Sequence, residues 1–279
     1  MNRIVMWTVL AAILCCGLTA QAADKTRILF LHKSAGFQHS CIAYNADGTN
    51  HVTEVLKGIG DKLNAEITST KDASLVNAKN LKNFDVVMFY TTEDLTMPGT
   101  DGTTPMGKNG VAELQEWVKA GGGFIGMHSA SDSFHRRGKE SPYLDMLGGE
   151  FKGHGPQFYG KLKVVDPDHP TMARVENDFK IKDEWYFFSN FMEEDMHVIA
   201  LLDAGKIKEK DERYDMPNYP VIWCSKFGDG RVFYNAMGHR EDVWDHEVFQ
   251  NHFIDAVNWA KGEGEADYEP NYKDVVPKD

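Results

Sequence analysis

The chain has 279 residues, 42% of them hydrophobic and 11% aromatic, which is enough to build the core of one large domain or two small ones. With 30 Lys and Arg against 42 Asp and Glu, the formal charge is -12, and so acidic a chain lacks the basic footprint of a nucleic-acid binder. Small neutral or sugar-like ligands suit it better than polyanions.

At the start, Arg3 precedes an apolar run over 4–18, and Ala20-Gln21-Ala22 sets small residues at the spacing a signal peptidase reads. Cleavage is expected after Ala22, making 1–22 a signal peptide. The charge then becomes -13, because Arg3 is the only charged residue lost. The run is shorter than the ~20 residues that span a bilayer, and no later segment is long and apolar enough. The expectation is an exported protein, periplasmic or extracellular, that is not integral to a membrane. Export leaves Cys41 and Cys224, too few for a disulfide framework.

Residues 27–32 are a compact apolar run typical of a buried parallel strand, followed by a polar loop that carries His39. Ligands collect outside the carboxyl ends of strands in open α/β sheets, so this loop is a candidate site wall. His32 alone reads as structural. Residues 49–63 place Val52, Val55, Leu56, Ile59 and Leu63 on one helical face, 65–70 read as a second strand, and 84–90 as the clearest strand of all. A loop punctuated by Gly and Pro leads to a helical pattern over 108–120. Such alternation predicts an α/β fold, a mostly parallel sheet with helices on both faces.

Residues 121–132 read as a glycine turn, a buried strand and a sharp turn into a helix, with His128 at the turn. The pattern is that of the G-x-S-x-G elbows, except that the presented residue is a histidine: a base, a proton donor, a metal ligand or a hydrogen-bond partner. If a helix begins there, Asp132 lies four residues on and faces His128 as its orienting partner. The plainer alternative is that the glycines end a helix and His128 caps the next element.

Further on, 134–143 is charged and loop-like, 144–151 resembles a short helix turning into a strand, and His154 sits between two glycines. His169 reads as a turn residue bonded within its own loop. In 179–187 the carboxylates Asp183 and Glu184 stand beside Trp185 and Tyr186, the pairing from which sugar sites are commonly built. An edge strand with one packed face explains the segment equally well. A strand over 196–202 and a hairpin turning at Gly228-Asp229-Gly230 follow, and the second arm delivers His239 just after Gly238. An amphipathic helix over 245–261 closes a domain spanning 23–262, and 263–279 reads as a loosely held polar tail.

The segments Gly126-Met127-His128-Ser129-Ala130-Ser131-Asp132, Gly148-Gly149 with Phe151 and His154, Asp168-His169-Pro170 and Asp183-Glu184-Trp185-Tyr186 occur in that order. Pro220 with Trp223, the 230–234 run Gly-Arg-Val-Phe-Tyr and Gly238-His239 complete the series. Together they resemble the trehalose-utilisation (ThuA-like) family, over about residues 25–261. The resemblance implies a flavodoxin-like fold akin to class I glutamine amidotransferases. His128 stands where their cysteine would be, which argues against acyl transfer from glutamine. Relatives often carry a tryptophan in the loop after the elbow, and 134–143 has none. The resemblance also implies a small carbohydrate ligand, trehalose or a related disaccharide, and a partner sugar dehydrogenase that makes 3-keto sugars.

His39, His128 and His239 each follow an apolar strand, so a cleft shared by His39, His128, His154, Glu184 and His239 is expected. A keto sugar carries an acidic proton beside its carbonyl, and its removal opens isomerisation, epimerisation or elimination. In that scheme His128 is base or electrophilic donor, Asp132 orients it, and Glu184 and His239 are acid/base partners. His39, His154, Asp183, Trp185 and Tyr186 would contact the substrate. The cofactor is unknown. The set His39, His128, His154, His239 and Glu184 could instead hold Zn²⁺ or Mn²⁺ in a metal-dependent hydrolase, although no tight His-x-x-x-His spacing marks it. A non-catalytic sugar-binding module using Trp185, Tyr186, Trp223 and Trp244 is the other open reading. Ser129 lies one step past the elbow position, which disfavours it as a hydrolytic nucleophile.

Overall fold

The computed structural model describes residues 25–265 and 268–277, and the expected leader over 1–22 lies outside them. The chain runs through β1 (Thr26–Leu31), α1 (His51–Leu63), β2 (Ala65–Thr70), α2 (Ala78–Leu81), β3 (Val86–Phe89), α3 (Gly110–Lys119) and β4 (Gly123–Met127). A 3-10 turn over His128–Asp132 leads to α4 (Pro142–Leu147), β5 (Glu150–His154), β6 (Phe158–Val164), β7 (Lys180–Asp183), β8 (Tyr186–Ser189) and β9 (His197–Asp203). The hairpin of β10 (Tyr219–Phe227) and β11 (Gly230–Asn235) follows, then α5 (Glu241–Trp244), α6 (Glu247–Ala260) and α7 (Tyr272–Val275).

One sheet runs β2-β1-β3-β4-β11-β10-β9-β6-β7, and β5 pairs with β8 apart from it. From β2 to β11 every pairing is parallel, as the alternation of strands and helices requires. From β11 outward to β7 every pairing is antiparallel. The central strands β3 and β4 are buried along their whole length, because helices cover both faces of a parallel sheet. Helices α1, α5 and α6 contact one another in one layer, and α2, α3 and α4 in the other.

Local rules account for the parts that aim the site. In α1, Val52, Leu56, Ile59 and Leu63 form the buried stripe. Asn50 caps its start by accepting from the Thr53 N–H, and Asn64 ends it in the left-handed region at φ 47°. In β4, a Cβ on Gly126 would lie 2.5 Å from Leu147 and 3.1 Å from the Tyr234 ring, so glycine lets α4 seat beneath the turn at His128.

Three expectations need correction. The turn after β4 is 3-10 rather than α-helical. The segment over 179–187 is not one edge strand: β7 closes the large sheet while β8 pairs with β5. The break arises because the Glu184 N–H bonds the Asp183 side chain instead of a neighbouring strand, and Trp185 turns inward to donate to the Phe158 carbonyl.

The polar tail, finally, is docked rather than loose. Strand β6 makes its last register pair with β9 at Ala200, and Asn271 takes over two residues earlier: its side chain accepts from the Val198 N–H at 2.7 Å and donates to the Val198 carbonyl at 3.0 Å. Tyr268, Tyr272, Val275 and Val276 pack against the core, and His197 bonds the Glu269 carbonyl. Among the described residues no helix is long and apolar enough to cross a membrane. Cys41 and Cys224 are both buried, the first 3.5 Å from the Tyr90 hydroxyl and the second 3.6 Å from His169 Nε2.

Replacing Asn271 with Ala strands the backbone polar groups of Val198 in a part-buried setting. That should cost about 1–3 kcal/mol in urea unfolding. An unchanged midpoint would show that the tail is not held there.

Candidate functional site

The parallel strands deliver three imidazoles to one place. His39 lies in the loop after β1, His128 at the tip of β4 and His239 beyond β11. Their ring centroids are 5.0 Å apart for His39 and His128, 5.0 Å for His39 and His239, and 5.5 Å for His128 and His239. Glu184 enters from the break between β7 and β8, with Oε2 3.0 Å from His239 Nδ1 and 3.9 Å from His128 Nε2. One donor atom from each of His39, His128, Glu184 and His239 lies within 4.8 Å of the others. His154, at the end of β5, approaches the other carboxylate oxygen, its Nδ1 3.2 Å from Oε1.

The backbone at His128 is strained to present its ring. Its φ is +40°, in the left-handed region that side chains other than Gly, Asn, Asp and His rarely enter. The ring is fully buried, and Nδ1 lies 2.7 Å from the Ala236 carbonyl oxygen. Only an N–H can bond that oxygen, so the proton sits on Nδ1. Burial, with His39 and His239 nearby, holds the pKa well below the usual imidazole value, so the ring is neutral. Nε2 therefore faces the cleft as a bare lone pair, and it has no hydrogen-bond partner. This corrects the expectation of His128 as an electrophilic donor: it can accept there, not donate.

The other two imidazoles are similarly placed. His39 is buried, and its pKa is pushed down to about 3 by desolvation, with His239 and His154 contributing. Its Nε2 is 3.4 Å from the Tyr186 hydroxyl, and its Nδ1 has no partner. His239 Nδ1 is also without a hydrogen bond despite its approach to Glu184, because the two groups are not aligned for one.

Asp183 is a positioning residue rather than a substrate contact. It is fully buried, and it accepts the Gly238 N–H at 2.7 Å and the Glu184 N–H at 2.9 Å. Burial raises its pKa to about 7 against the pull of those two donors. Gly238 has φ 123°, which glycine alone adopts readily, and its carbonyl accepts from Tyr90 and Trp244.

The remaining expected residues divide. Tyr186 lines the site, its ring 4.1 Å from that of His128. Trp185 is wholly inside the core, as are Trp223 and Trp244, so these tryptophans offer no stacking surface to a sugar. Asp132 does not orient His128. In a 3-10 turn residues four apart do not face each other, and Asp132, at the end of the turn, bonds His135 beyond it at 2.7 Å. His135 in turn meets Glu150 at 3.2 Å. His154 is 43% exposed and bonds the carbonyl of its neighbour Gly155, which sets it at the rim rather than among the four clustered donors.

Three participants escape a reading of the sequence. Ala236 acts through its carbonyl and leaves no side-chain signal. His135 does leave one, its i,i+3 spacing from Asp132. Phe37 is 65% exposed, with its ring edge-on to His39 at 4.9 Å, and its spacing two residues before His39 was the available clue.

The fold and site define an α/β protein with a histidine-rich cleft at the carboxyl edge of its parallel strands and no sulfur nucleophile at the elbow. A model of the family described as ThuA, trehalose utilisation, matches residues 27–260, and the chain belongs to that family. Among solved structures it is similar to a putative ThuA-like protein from Bacteroides uniformis, at 18% identity and TM-score 0.64, covering 88% of this chain and 95% of that one. A putative ThuA-like protein from Parabacteroides merdae shares 14% identity at TM-score 0.65, covering 85% and 90%. A β-galactosidase from Bacillus circulans shares 12% identity at TM-score 0.52, and the match takes in 88% of this chain but 32% of that enzyme. At these identities the likenesses establish the fold alone. No curated protein matches the sequence.

Hydrogen bonding to Asp132, followed by the Asp132 charge and by Glu150, raises the pKa of His135 above its usual value. A raised folded-state pKa gives stability that is complete below the unfolded value near 6.5 and is lost as the pH climbs through the raised one. His135→Gln should therefore lower the Tm more at pH 6 than at pH 9. An equal loss at both would show that the ring acts only by packing.

Proposed function

We propose that this protein is an enzyme of carbohydrate utilisation that removes the proton beside the carbonyl of a keto sugar, with a disaccharide derivative as the substrate class. The observation that carries this reading is the convergence of Glu184 with His39, His128 and His239 within a few ångströms of one another, with the more exposed His154 on the outer side of the carboxylate. The exported location expected from the leader belongs to the same proposal.

Glu184 is the base. Its Oε1 faces His154 and the opening, where a sugar carbon can approach, while Oε2 faces inward toward His128 and His239. The C–H bond breaks, its proton passes to Oε1, and the electron pair moves onto the carbonyl oxygen to give an enolate. Return of the proton to the same carbon from the other face yields the epimer, return to the former carbonyl carbon with the neighbouring hydroxyl proton passing to the enolate oxygen yields the isomer, and expulsion of the glycosidic oxygen one carbon on, which takes the proton from Oε1, yields elimination. His154 can exchange that proton with solvent. The enolate oxygen needs an electrophile beside it, a role that His128, with only a lone pair on Nε2, does not fill.

Passive sugar binding finds less support, because that reading drew on Trp185, Trp223 and Trp244, all of them in the core. Phe37 at the mouth, with Phe151 stacked on the far side against Tyr186 and His154, supplies the remaining apolar walls.

The step common to all three outcomes is hydrogen exchange. A 3-keto disaccharide incubated with the protein in D₂O should take up deuterium at the carbon beside the ketone, followed by NMR. Glu184→Gln should slow this by about 10² or more, the usual scale of a lost general base, without loss of Tm. Thermal stabilisation by the sugar with neither exchange nor product would assign the cleft to binding.

A further inference from the structure

We infer that His39, His128, His239 and Glu184 form the binding centre of one divalent transition-metal ion, of the zinc or manganese kind. The inference deepens the proton-transfer reading of this cleft and, for its chemistry, rests on it.

Two of the inward-facing groups, His128 Nε2 and Glu184 Oε2, are acceptors with no aligned donor. His128 has its only proton committed to Ala236, so Nε2 offers a lone pair and nothing else. Glu184 Oε2 is an acceptor, lying 3.0 Å from a His239 nitrogen that is not aligned to bond it. His39 keeps a buried nitrogen with no partner. Lone pairs gathered in a desolvated space repel one another unless a cation lies between them.

Size and donor type agree. Ligands of a tetrahedral centre with bonds near 2.0–2.2 Å stand about 3.3 Å apart, so donors within 4.8 Å of each other close onto an ion with movements of about an ångström. Three imidazole nitrogens and one carboxylate oxygen suit Zn²⁺ or Mn²⁺ and not Mg²⁺ or Ca²⁺, which prefer oxygen throughout.

The second layer is in place too. The Ala236 carbonyl fixes the His128 tautomer, and Asp183 holds the backbone on both sides that carries Glu184 and His239. His154 is excluded from the ligand set expected for it, since its Nδ1 is engaged with Gly155 and it sits on the Oε1 side. A substrate oxygen would enter as a fifth ligand, from the Oε1 side on which His154 lies. A cation there is the electrophile that the enolate requires.

The test uses the tag-free protein, stripped with chelator and then dialysed separately against Zn²⁺, Mn²⁺ or Mg²⁺, with bound metal measured after gel filtration. Expected are one equivalent of Zn²⁺ or Mn²⁺, none of Mg²⁺, and a rise in Tm. Affinity should fall at least tenfold in His39→Ala and Glu184→Gln and stay unchanged in His51→Ala, which removes a surface histidine. Co²⁺ loading of the wild type gives a reading independent of variant folding: intense visible d–d bands mark a four- or five-coordinate nitrogen and oxygen site.

Failure of the wild type to hold any of these ions, or full retention in His39→Ala, overturns the centre. Stoichiometric metal without deuterium exchange leaves the centre standing and ends the proton-transfer reading. Exchange at full rate by the stripped protein keeps the proton-transfer reading and removes the ion as its electrophile.

Discussion

The site depends on one buried carboxyl group. Asp183 sits in the interior at the end of β7 and takes two backbone N–H groups, one from the next residue and one from Gly238, far along the chain. A carboxyl group in such a place is costly to leave without donors, and these two satisfy it. Because the donors belong to Glu184 and to the residue before His239, that one side chain ties the carboxylate and an imidazole of the cleft to a single point. The Gly238 peptide is gripped on its other side as well, its carbonyl accepting from the Tyr90 hydroxyl and the Trp244 indole. A turn held at both its N–H and its C=O has little freedom to drift, which a site accurate to a fraction of an ångström needs.

The tip of β4 solves a related problem by strain. A left-handed backbone at a residue other than glycine costs about 1–3 kcal/mol and persists only where surrounding contacts enforce it. Around His128 they do: its Nδ1 bonds Ala236, its carbonyl accepts from the Tyr234 hydroxyl at 2.6 Å, and Leu147 fills the space that Gly126 leaves open. The same device in other α/β folds lifts a nucleophile clear of the sheet. Here it carries an imidazole kept neutral by burial, and a neutral imidazole can accept a proton or an ion but cannot hold an acyl group for long. The turn thus presents an imidazole where the nucleophile elbows of other α/β folds present a hydroxyl or thiol.

The parallel half of the fold was legible because buried strands and amphipathic helices announce themselves by period: 84–90 and 49–63 needed no tertiary information. The three clustered histidines were legible for a related reason, each standing just past an apolar run at the edge where α/β sheets place their sites. What escaped depended on contacts that no local pattern encodes. The segment over 179–187 reads as one strand, and only the bond from Glu184 back to Asp183 breaks it. Trp185 resembles a sugar platform next to two acids, yet Gly160 opens a slot for it in the core, where a Cβ would come within 2.5 Å of the indole nitrogen. Asp132 was assigned by α-helical spacing to a turn of tighter pitch. The tail after 262 is polar in composition, but one asparagine imitating a strand edge is enough to dock it.

The two halves of the sheet make different contributions to the cleft. The loops after β1, β4 and β11, all in the parallel half, carry the three imidazoles, and β1, β3 and β4 beneath them are almost wholly buried. The carboxylate, His154 and Tyr186 come from the antiparallel extension and from the small β5–β8 sheet that folds over the opening. Desolvation, which lowers the pKa of His39 and His128, is thus supplied by one half, and the carboxylate by the other. Glu184 stands at the seam, with one oxygen among the buried nitrogens and the second toward His154 and water. A carboxylate so divided can hold a fixed partner with the inner oxygen while the outer one gains and loses a proton, and neither half of the fold alone could place it there.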